Sequence, residues 1–127
     1  MRQEPKPSYL LVIGSFLLIL GVSYIGINFY FDNKLIKAEG VFELDTRVGL
    51  WTYYLESGTI DAIKNYKNDL LEGESINHYP NGKLKDKAFY HAGMKEGEYA
   101  EYYETGLKKE QSFYRNNLFE GERLEYF

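Results

Sequence analysis

Hydrophobic and polar positions divide the chain into two parts with different patterns. From Tyr9 to Phe31 no side chain is charged, and the run consists mainly of Leu, Ile, Val, Phe and Gly. A helix of that length rises about 34 Å, which is enough to cross the hydrocarbon core of a bilayer, about 30 Å thick. The pattern therefore predicts a transmembrane helix over residues 9–31, preceded by a tail over residues 1–8.

Three other interpretations of this run stay open: a cleaved signal peptide, a buried core helix, and a helix-pairing motif, for which Gly14, Gly21 and Gly26 supply small residues without a strict GxxxG spacing. A signal peptide has an apolar region of about 7–15 residues and a small-residue cleavage site, whereas residues 27–30 are bulky. Basic residues flank both ends of the run almost equally, so the short tail decides the predicted topology. We expect the N-terminus in the cytoplasm and the following domain outside, which is the periplasm in a Gram-negative cell.

The second part, residues 34–127, repeats with a period of 24 residues. Glycines carry two of the recurring positions, and aromatic residues carry a third. The recurring residues are Gly49, Gly73, Gly97 and Gly121; Gly58, Gly82 and Gly106; and Tyr66, Tyr90 and Tyr114, with Phe42 one period earlier. This agreement predicts a repeat architecture, with units over residues 34–57, 58–81, 82–105 and 106–127.

The composition of each unit is typical of β-structure. The segment from Trp51 to Leu55 is aromatic and β-favouring, and turn residues such as Pro80-Asn81-Gly82 separate such segments. We therefore predict a mainly β domain behind the helix, folded as an antiparallel meander of stacked β-hairpins with about eight strands. The strands are expected near residues 35–43, 50–56, 59–67, 74–79, 83–91, 98–104, 107–115 and 122–127.

These residues resemble the MORN repeat (membrane occupation and recognition nexus), most closely its bacterial variant. The resemblance is carried by Gly49, Trp51, Tyr54 and Gly58; by Gly73, Tyr79, Asn81, Gly82, Leu84, Lys85, Tyr90, Gly93 and Gly97; and by Tyr102, Tyr103, Gly106, Tyr114 and Gly121. It covers roughly residues 34–127, although Trp51 has no equivalent Trp in later units. The resemblance implies stacked β-hairpins that serve as scaffolds, dimer interfaces or membrane-apposed modules, and it implies no single activity.

Composition and charge narrow the possible functions. The chain has no cysteine, which excludes thiolate chemistry. Its net charge of −4 gives no reason to expect a nucleic-acid partner, because such a partner usually needs a basic patch. His78 falls in a column otherwise filled by tyrosine, and His91 falls in a turn. We interpret His78 as an aromatic substitute and His91 as a solvated residue. We therefore expect no enzyme activity, no catalytic, cofactor or metal site, and no small-molecule substrate.

Charged residues also recur in register. Glu-Gly-Glu occurs at residues 72–74, 96–98 and 120–122. Stacked repeats would align these carboxylates along one sheet edge, where they protect the edge or bind a cation or a basic partner. Lys83, Lys85 and Lys87 alternate along one predicted strand, so they would share a face that lipid headgroups can contact.

The aromatic columns and the last predicted strand indicate a binding surface. Exposed tyrosines favour protein binding, and an open strand edge is a template for β-augmentation. The predicted partner-binding residues are Tyr102, Tyr103, Leu124, Tyr126 and Phe127. We expect a non-catalytic single-pass membrane protein that contacts lipid through residues 9–31. Its sheet is then an interaction or scaffold module, in an accessory subunit that binds other protein subunits of a larger membrane complex. A sensor or antitoxin-like inhibitor, and a module that binds lipid headgroups directly, are the alternatives.

Overall fold

The structure, a computed structural model, describes residues 10–12, 24–31 and 34–127, with side chains from Lys37 onward. Within these ranges the regular structure is a single antiparallel sheet of ten strands, in which each strand pairs with its neighbours in the chain. The strands are β1 (Leu10–Val12), β2 (Tyr24–Phe31), β3 (Lys34–Glu43), β4 (Thr46–Tyr54), β5 (Ile60–Lys67), β6 (Leu70–His78), β7 (Leu84–His91), β8 (Met94–Tyr102), β9 (Lys108–Arg115) and β10 (Leu118–Glu125).

The predicted helix over residues 9–31 is not confirmed. Where the structure describes this run it has strands instead, because β1 pairs with β2 and β2 pairs with β3. The residues of β2 are mostly aromatic or β-branched, and an apolar run alone does not distinguish a helix from a strand that extends a sheet. Residues 1–9 and 13–23, which include the predicted tail, lie outside the described residues. In the part of the chain that the structure describes, no helix could span a membrane.

The predicted eight-strand meander over residues 34–127 is confirmed, and two kinds of tight turn connect its strands. The first kind joins β3 to β4, β5 to β6, β7 to β8, and β9 to β10. It has two residues, both with positive φ: Leu44 and Asp45, Asn68 and Asp69, Ala92 and Gly93, and Asn116 and Asn117. This is the type I′ geometry, whose twist matches the right-handed twist of the flanking strands.

The second strand of each unit begins four residues earlier than predicted, at Thr46, Leu70, Met94 and Leu118. The predicted starts of these strands were wrong because the recurring glycine of the repeat looks like a strand boundary in the sequence. In the structure Gly73 lies inside β6 with a φ of 93°. There the pairing register shifts between Lys64 and Tyr66, so that three residues of β6 lie opposite Asn65. The glycine therefore serves a β-bulge within the strand, which its freedom at positive φ allows.

The second kind of turn contains the Asn-Gly pair. The Gly82 amide donates to the Tyr79 carbonyl at 2.8 Å, and the Tyr79 amide donates to the Lys83 carbonyl at 2.8 Å. In this turn only Gly82 has a positive φ, at 84°. It is therefore a type I turn followed by a glycine bulge, and not the turn with two left-handed residues that Asn-Gly alone favours. The same pair of hydrogen bonds recurs at residues 55–59 and 103–107.

The sheet has one packed face and one open face, assigned from the pairing register because side chains alternate along a strand. On the packed face the almost fully buried residues are Ala38, Trp51, Ala62, Tyr66, Ser75, Ala88 and Ser112. The Trp51 ring lies directly over Gly40, where an added Cβ would overlap it. Its Nε1–H donates to the Val41 carbonyl at 3.2 Å. The open face carries Leu50, Ile63, Ile76, Phe89, Phe113 and Leu124.

Candidate interaction surfaces

The tyrosine column of the repeat lies on the packed face. Tyr66 is buried, and the guanidinium of Arg47 lies 4.1 Å from the centroid of its ring. Between β8 and β9 the amine of Lys95 lies 4.9 Å from the centroid of the Tyr114 ring. A cation over an aromatic face is attracted by the ring quadrupole. Cations of the chain itself therefore cover part of this column, which reduces the surface that a partner can reach.

Turn residues fasten each hairpin to the one before it. Asp69 Oδ1 accepts hydrogen bonds from the amide and from Nε of Arg47, both at 2.9 Å. Near the end of the sheet, Asn117 Oδ1 accepts from the Lys95 amide at 2.6 Å. Burial opposes the charge of Arg47, but the hydrogen bond with Asp69 and the nearby phenols outweigh burial and raise the pKa of Arg47. The polar groups of these turns are thus engaged in structural contacts.

The first glutamate of two of the three Glu-Gly-Glu motifs caps the next turn. Glu72 accepts a hydrogen bond from the Ala92 amide at 2.8 Å and lies 2.9 Å from Nδ1 of His91. Glu96 repeats the contact with the Asn116 amide at 2.8 Å. Two contacts lower the pKa of Glu72 below its ordinary value. The hydrogen bond from the Ala92 amide has the larger effect, and the hydrogen bond with His91 has the smaller one. The second glutamates, Glu74 and Glu98, pair with Phe89 and Phe113 on the open face of interior strands, and not along a sheet edge as expected.

The three lysines of β7 and its preceding turn do not share one patch. Lys87 lies on the open face and forms an ion pair with Glu74, which raises the pKa of Lys87. Lys85 falls in a register shift near the end of the pairing with β6, and its amine lies 6.0 Å from the Tyr79 ring centroid. Lys83 donates to a carbonyl of the next turn at 2.9 Å. The shared face predicted from simple alternation is therefore wrong.

The two histidines occupy different environments. His78 ends β6 on the open face, and its Nδ1 is buried without a hydrogen-bond partner among the described residues. His91 lines an open recess of about 240 Å³ together with Lys67, Leu70 and Glu72. Over residues 37–127, no three His, Asp or Glu side chains are arranged to hold a metal ion.

The predicted partner-binding residues come together at one end of the sheet, and we call them the end surface. They are Tyr102, Tyr103, Leu124, Tyr126 and Phe127. The Tyr103 hydroxyl donates to the Tyr126 carbonyl at 3.1 Å, while the Tyr102 carbonyl accepts from the Tyr79 hydroxyl at 2.7 Å. Four of the five side chains are exposed, and Tyr102 is half-buried. Among the described strands, β10 pairs only with β9.

Sequence reasoning missed the open face itself. Phe89 and Phe113 are 39% and 49% exposed there, and Leu50 is exposed as well. Phe89 pairs with Glu74, and Phe113 pairs with Glu98. The signal was present, because the two phenylalanines are one period apart and each falls one residue before the tyrosine column. This spacing alone did not reveal the open face, because the position of the bulge decides which residues of neighbouring strands lie side by side.

Comparison with known families finds one that the repeat resembles. The family described as MORN repeat variant matches residues 47–68 and 71–92. The first match runs from β4 through β5, and the second from β6 through β7, so each matched copy is a hairpin built on the turn with a glycine bulge. This part of the β-meander is therefore similar to MORN repeats, which are often protein or lipid interaction modules. No curated protein and no solved structure matched the chain.

Proposed function

We propose that this chain is a non-catalytic interaction protein, whose MORN-type sheet binds other protein subunits beside a membrane. The observation that carries the proposal is the exposure of apolar side chains at the end surface. Leu124 is 48% exposed, whereas Ala100, the residue one period earlier, is 5% exposed. Tyr126 is exposed as well, whereas Tyr102 in the same column is half-buried. Clustered apolar side chains left in solvent are a mark of protein-binding surfaces.

The match to MORN repeats supports an interaction role, because such repeats are often binding modules. The polar side chains that could suggest chemistry have structural contacts instead. Glu72 holds the Ala92 amide and His91, and Asp69 holds Arg47. A catalytic assignment would need a base or nucleophile placed to act on a substrate. We therefore place the function in the surfaces of the sheet and assign no reaction.

The membrane part of the proposal rests on the sequence. The run from Tyr9 to Phe31 has no charged side chain, and β3 begins at Lys34. Because β1 and β2 within this run are the first strands of the sheet, a membrane-embedded run would hold the following strands near the bilayer surface. In this proposal the N-terminus is cytoplasmic and the sheet is outside. Such an arrangement suits an accessory subunit of a larger membrane complex.

Affinity capture tests the interaction part. The tagged full chain is purified from its own host in mild detergent, and copurifying proteins are quantified against it. We expect other subunits in a fixed ratio to the chain, and we expect the double variant Leu124→Ser, Tyr126→Ser to lose them. Phe119→Ser is the matched control, since Phe119 is 45% exposed but lies on the packed face. A monodisperse monomer without copurifying protein would contradict the proposal.

Carbonate extraction tests the membrane part independently. The full chain should stay in the membrane pellet, and a chain of residues 34–127 should move to the supernatant. Protease treatment of sealed vesicles then determines on which side the sheet lies. Recovery of the full chain in the carbonate supernatant would contradict membrane attachment and leave the interaction part standing.

A further inference from the structure

A row of alternating acidic and aromatic side chains crosses the open face at right angles to the strands. On successive strands from β6 to β10 it consists of Glu74, Phe89, Glu98, Phe113 and Glu122. On β10 the residue paired directly with Phe113 is Glu120, and Glu122 lies two residues further along in the bulge. The register pairs Glu74 with Phe89 and Glu98 with Phe113. A Cβ added to Gly97 would lie 3.8 Å from the Cβ of Phe89, so Phe89 also abuts the bulge that carries Glu98. We call this set the Phe–Glu row.

Four of the five members of the row are exposed to a partner. Phe89 and Phe113 are exposed, and so are Glu98 and Glu122. Glu98 accepts a hydrogen bond from the side-chain amide of Gln111 at 3.0 Å, a contact that leaves its negative charge in place. Glu74 is already paired with Lys87, whose amine also lies 5.5 Å from the centroid of the Phe89 ring. The free charge of the row is therefore concentrated toward β8 and β10.

The spacing of the row matches one kind of partner element. Neighbouring strands lie about 4.8 Å apart, so equivalent members of the row recur about every 10 Å. An α-helix places residues i and i+7 on one face about 10.5 Å apart, with i+3 or i+4 between them. A helix that alternates apolar and basic residues at these positions would set a cation on each carboxylate and an apolar group beside each ring. About 13 residues of helix would cover the row from β6 to β10.

We propose that the Phe–Glu row binds a basic amphipathic α-helix of a partner protein, which lies across the strands on the open face. This inference rests on the proposed interaction function and names a second surface, separate from the end surface. The charge complementarity favours such a helix over a second copy of this chain. A second copy would bring an identical row, and the nearby open-face cations Lys87 and Arg115 are already paired with Glu74 and Glu120. Carboxylates of the two rows would then face each other unpaired in the interface, which is costly.

An extended peptide fits the row less well than a helix does. Residues on one face of a strand recur about every 6.8 Å, so they lose register with positions about 4.8 Å apart after one step. A peptide lying parallel to the strands would contact only one or two members of the row. The alternation along the row therefore distinguishes a helix from an extended segment by spacing as well as by charge.

The test uses the full chain in nanodiscs of zwitterionic lipid and a labelled peptide, followed by fluorescence anisotropy. The probe peptide has Leu and Lys alternating at i, i+3, i+7, i+10 and i+14 on an alanine and glutamine background. One comparison peptide has Glu in place of Lys. A second has the same composition with Leu and Lys alternating every second residue. Empty nanodiscs give the background, and we expect only the first peptide to bind above it, with affinity falling as salt is raised.

Variants with matched controls locate the site. Phe113→Ser should weaken binding about tenfold, as expected for an aromatic anchor, and Phe119→Ser on the packed face should not. The pair Glu98→Gln, Glu122→Gln should weaken binding about fivefold and reduce its salt dependence, whereas Glu125→Gln on the packed face should leave it unchanged. Both glutamates of the pair are exposed, so this variant keeps its fold, which circular dichroism checks.

Several results would overturn the inference. They are no binding above empty nanodiscs, equal binding of the period-two peptide, or equal losses with Phe113→Ser and Phe119→Ser. A dimer in sedimentation that Phe113→Ser abolishes would show that a second copy occupies the face instead. Failure of the peptide test while affinity capture succeeds would refute the helix site alone. Failure of capture with successful peptide binding would refute the end surface and leave the row.

Discussion

The two ends of the packed face carry the same columns but are packed differently. Near β4, Trp51 lies over Gly40, contacts Phe42 edge-on at 4.8 Å between centroids, and is completely buried. Two periods later, Tyr99 stands in the place of Trp51 and Ala88 in the place of Gly40. Tyr99 is only half-buried, and the Lys95 amine lies 4.3 Å from its ring centroid.

The sheet and its hydrophobic core depend on different features of the sequence. Both ends have the same turns, the same bulge and the same ties between turns, as with Asp69 and Arg47 at one end and Asn117 and Lys95 at the other. Only the pairing of a glycine with an indole at the first end gives a closed hydrophobic cluster. The backbone pattern therefore forms the meander, and the choice of one large and one very small side chain forms the core.

The largest expected effect comes from removing the indole. Trp51→Ala should lower the free energy of unfolding by about 4 kcal/mol, because a fully buried aromatic side chain is replaced by a cavity. Tyr99→Ala, the equivalent change at the other end, should cost about 1–2 kcal/mol, since its ring is partly in water. Urea unfolding followed by circular dichroism measures both. Equal costs would show that the two ends do not differ as the structure indicates.

The second effect tests the close contact of Trp51 with Gly40. Gly40→Ala places a methyl group inside the volume of the ring, so we expect a loss of about 3 kcal/mol by overpacking. In a Trp51→Ala background the same substitution should be nearly neutral, because the ring is no longer there. This double-mutant cycle, measured by urea unfolding, isolates the contact. A loss that persists in the Trp51→Ala background would assign the cost to the backbone of β3 instead.

Most of the meander could be predicted from the sequence, because its signals are local and repeated. The period, the turn residues and the aromatic segments located eight strands in the correct order. The starts of β4, β6, β8 and β10 were misplaced because a glycine at positive φ serves a bulge as well as it serves a turn. The run over residues 9–31 was ambiguous for another reason, since uniform apolar composition has neither a helical nor an alternating period.

The surfaces were less predictable than the fold. The residues of the end surface lie at or just after the ends of β8 and β10, about one period apart, so the repeat itself places them near each other. That they bind a partner stays a prediction. The Phe–Glu row was missed, because its members come from five strands and meet only through the register. A three-residue bulge in each hairpin sets that register, and no local signal reports its length.

The third effect compares the ties between turns at the two ends. Asp69→Ala removes an acceptor for both the amide and the side chain of Arg47, and it leaves a half-buried cation without its partner. We expect a loss of about 2–3 kcal/mol, since hydrogen bonds to a charged group are the strong ones. Asn117→Ala removes one neutral hydrogen bond to the Lys95 amide and should cost about 1 kcal/mol. Thermal unfolding of the two variants measures the difference, and an inverted order would contradict the role given to Arg47.

The smallest effect concerns the capping carboxylate, which the first end of the sheet lacks because Val48 stands one period before Glu72. The Ala92 amide and His91 hold the folded-state pKa of Glu72 below its ordinary value of 4.5. A carboxyl group with a lowered folded pKa stabilises the fold above its unfolded pKa, and this contribution is lost as pH falls through the folded pKa.

Glu72→Gln keeps an oxygen that accepts from Ala92 but has no proton to gain. Its stability should therefore fall less than that of the wild type as pH is lowered from about 6 to about 3, which is the range in which carboxyl groups titrate. Urea midpoints followed by Trp51 fluorescence report this slope. Glu125→Gln, an exposed carboxyl group on the packed face, should keep the wild-type slope. If both variants flatten the slope equally, the acid sensitivity comes from overall charge and not from the cap of the Ala92 turn.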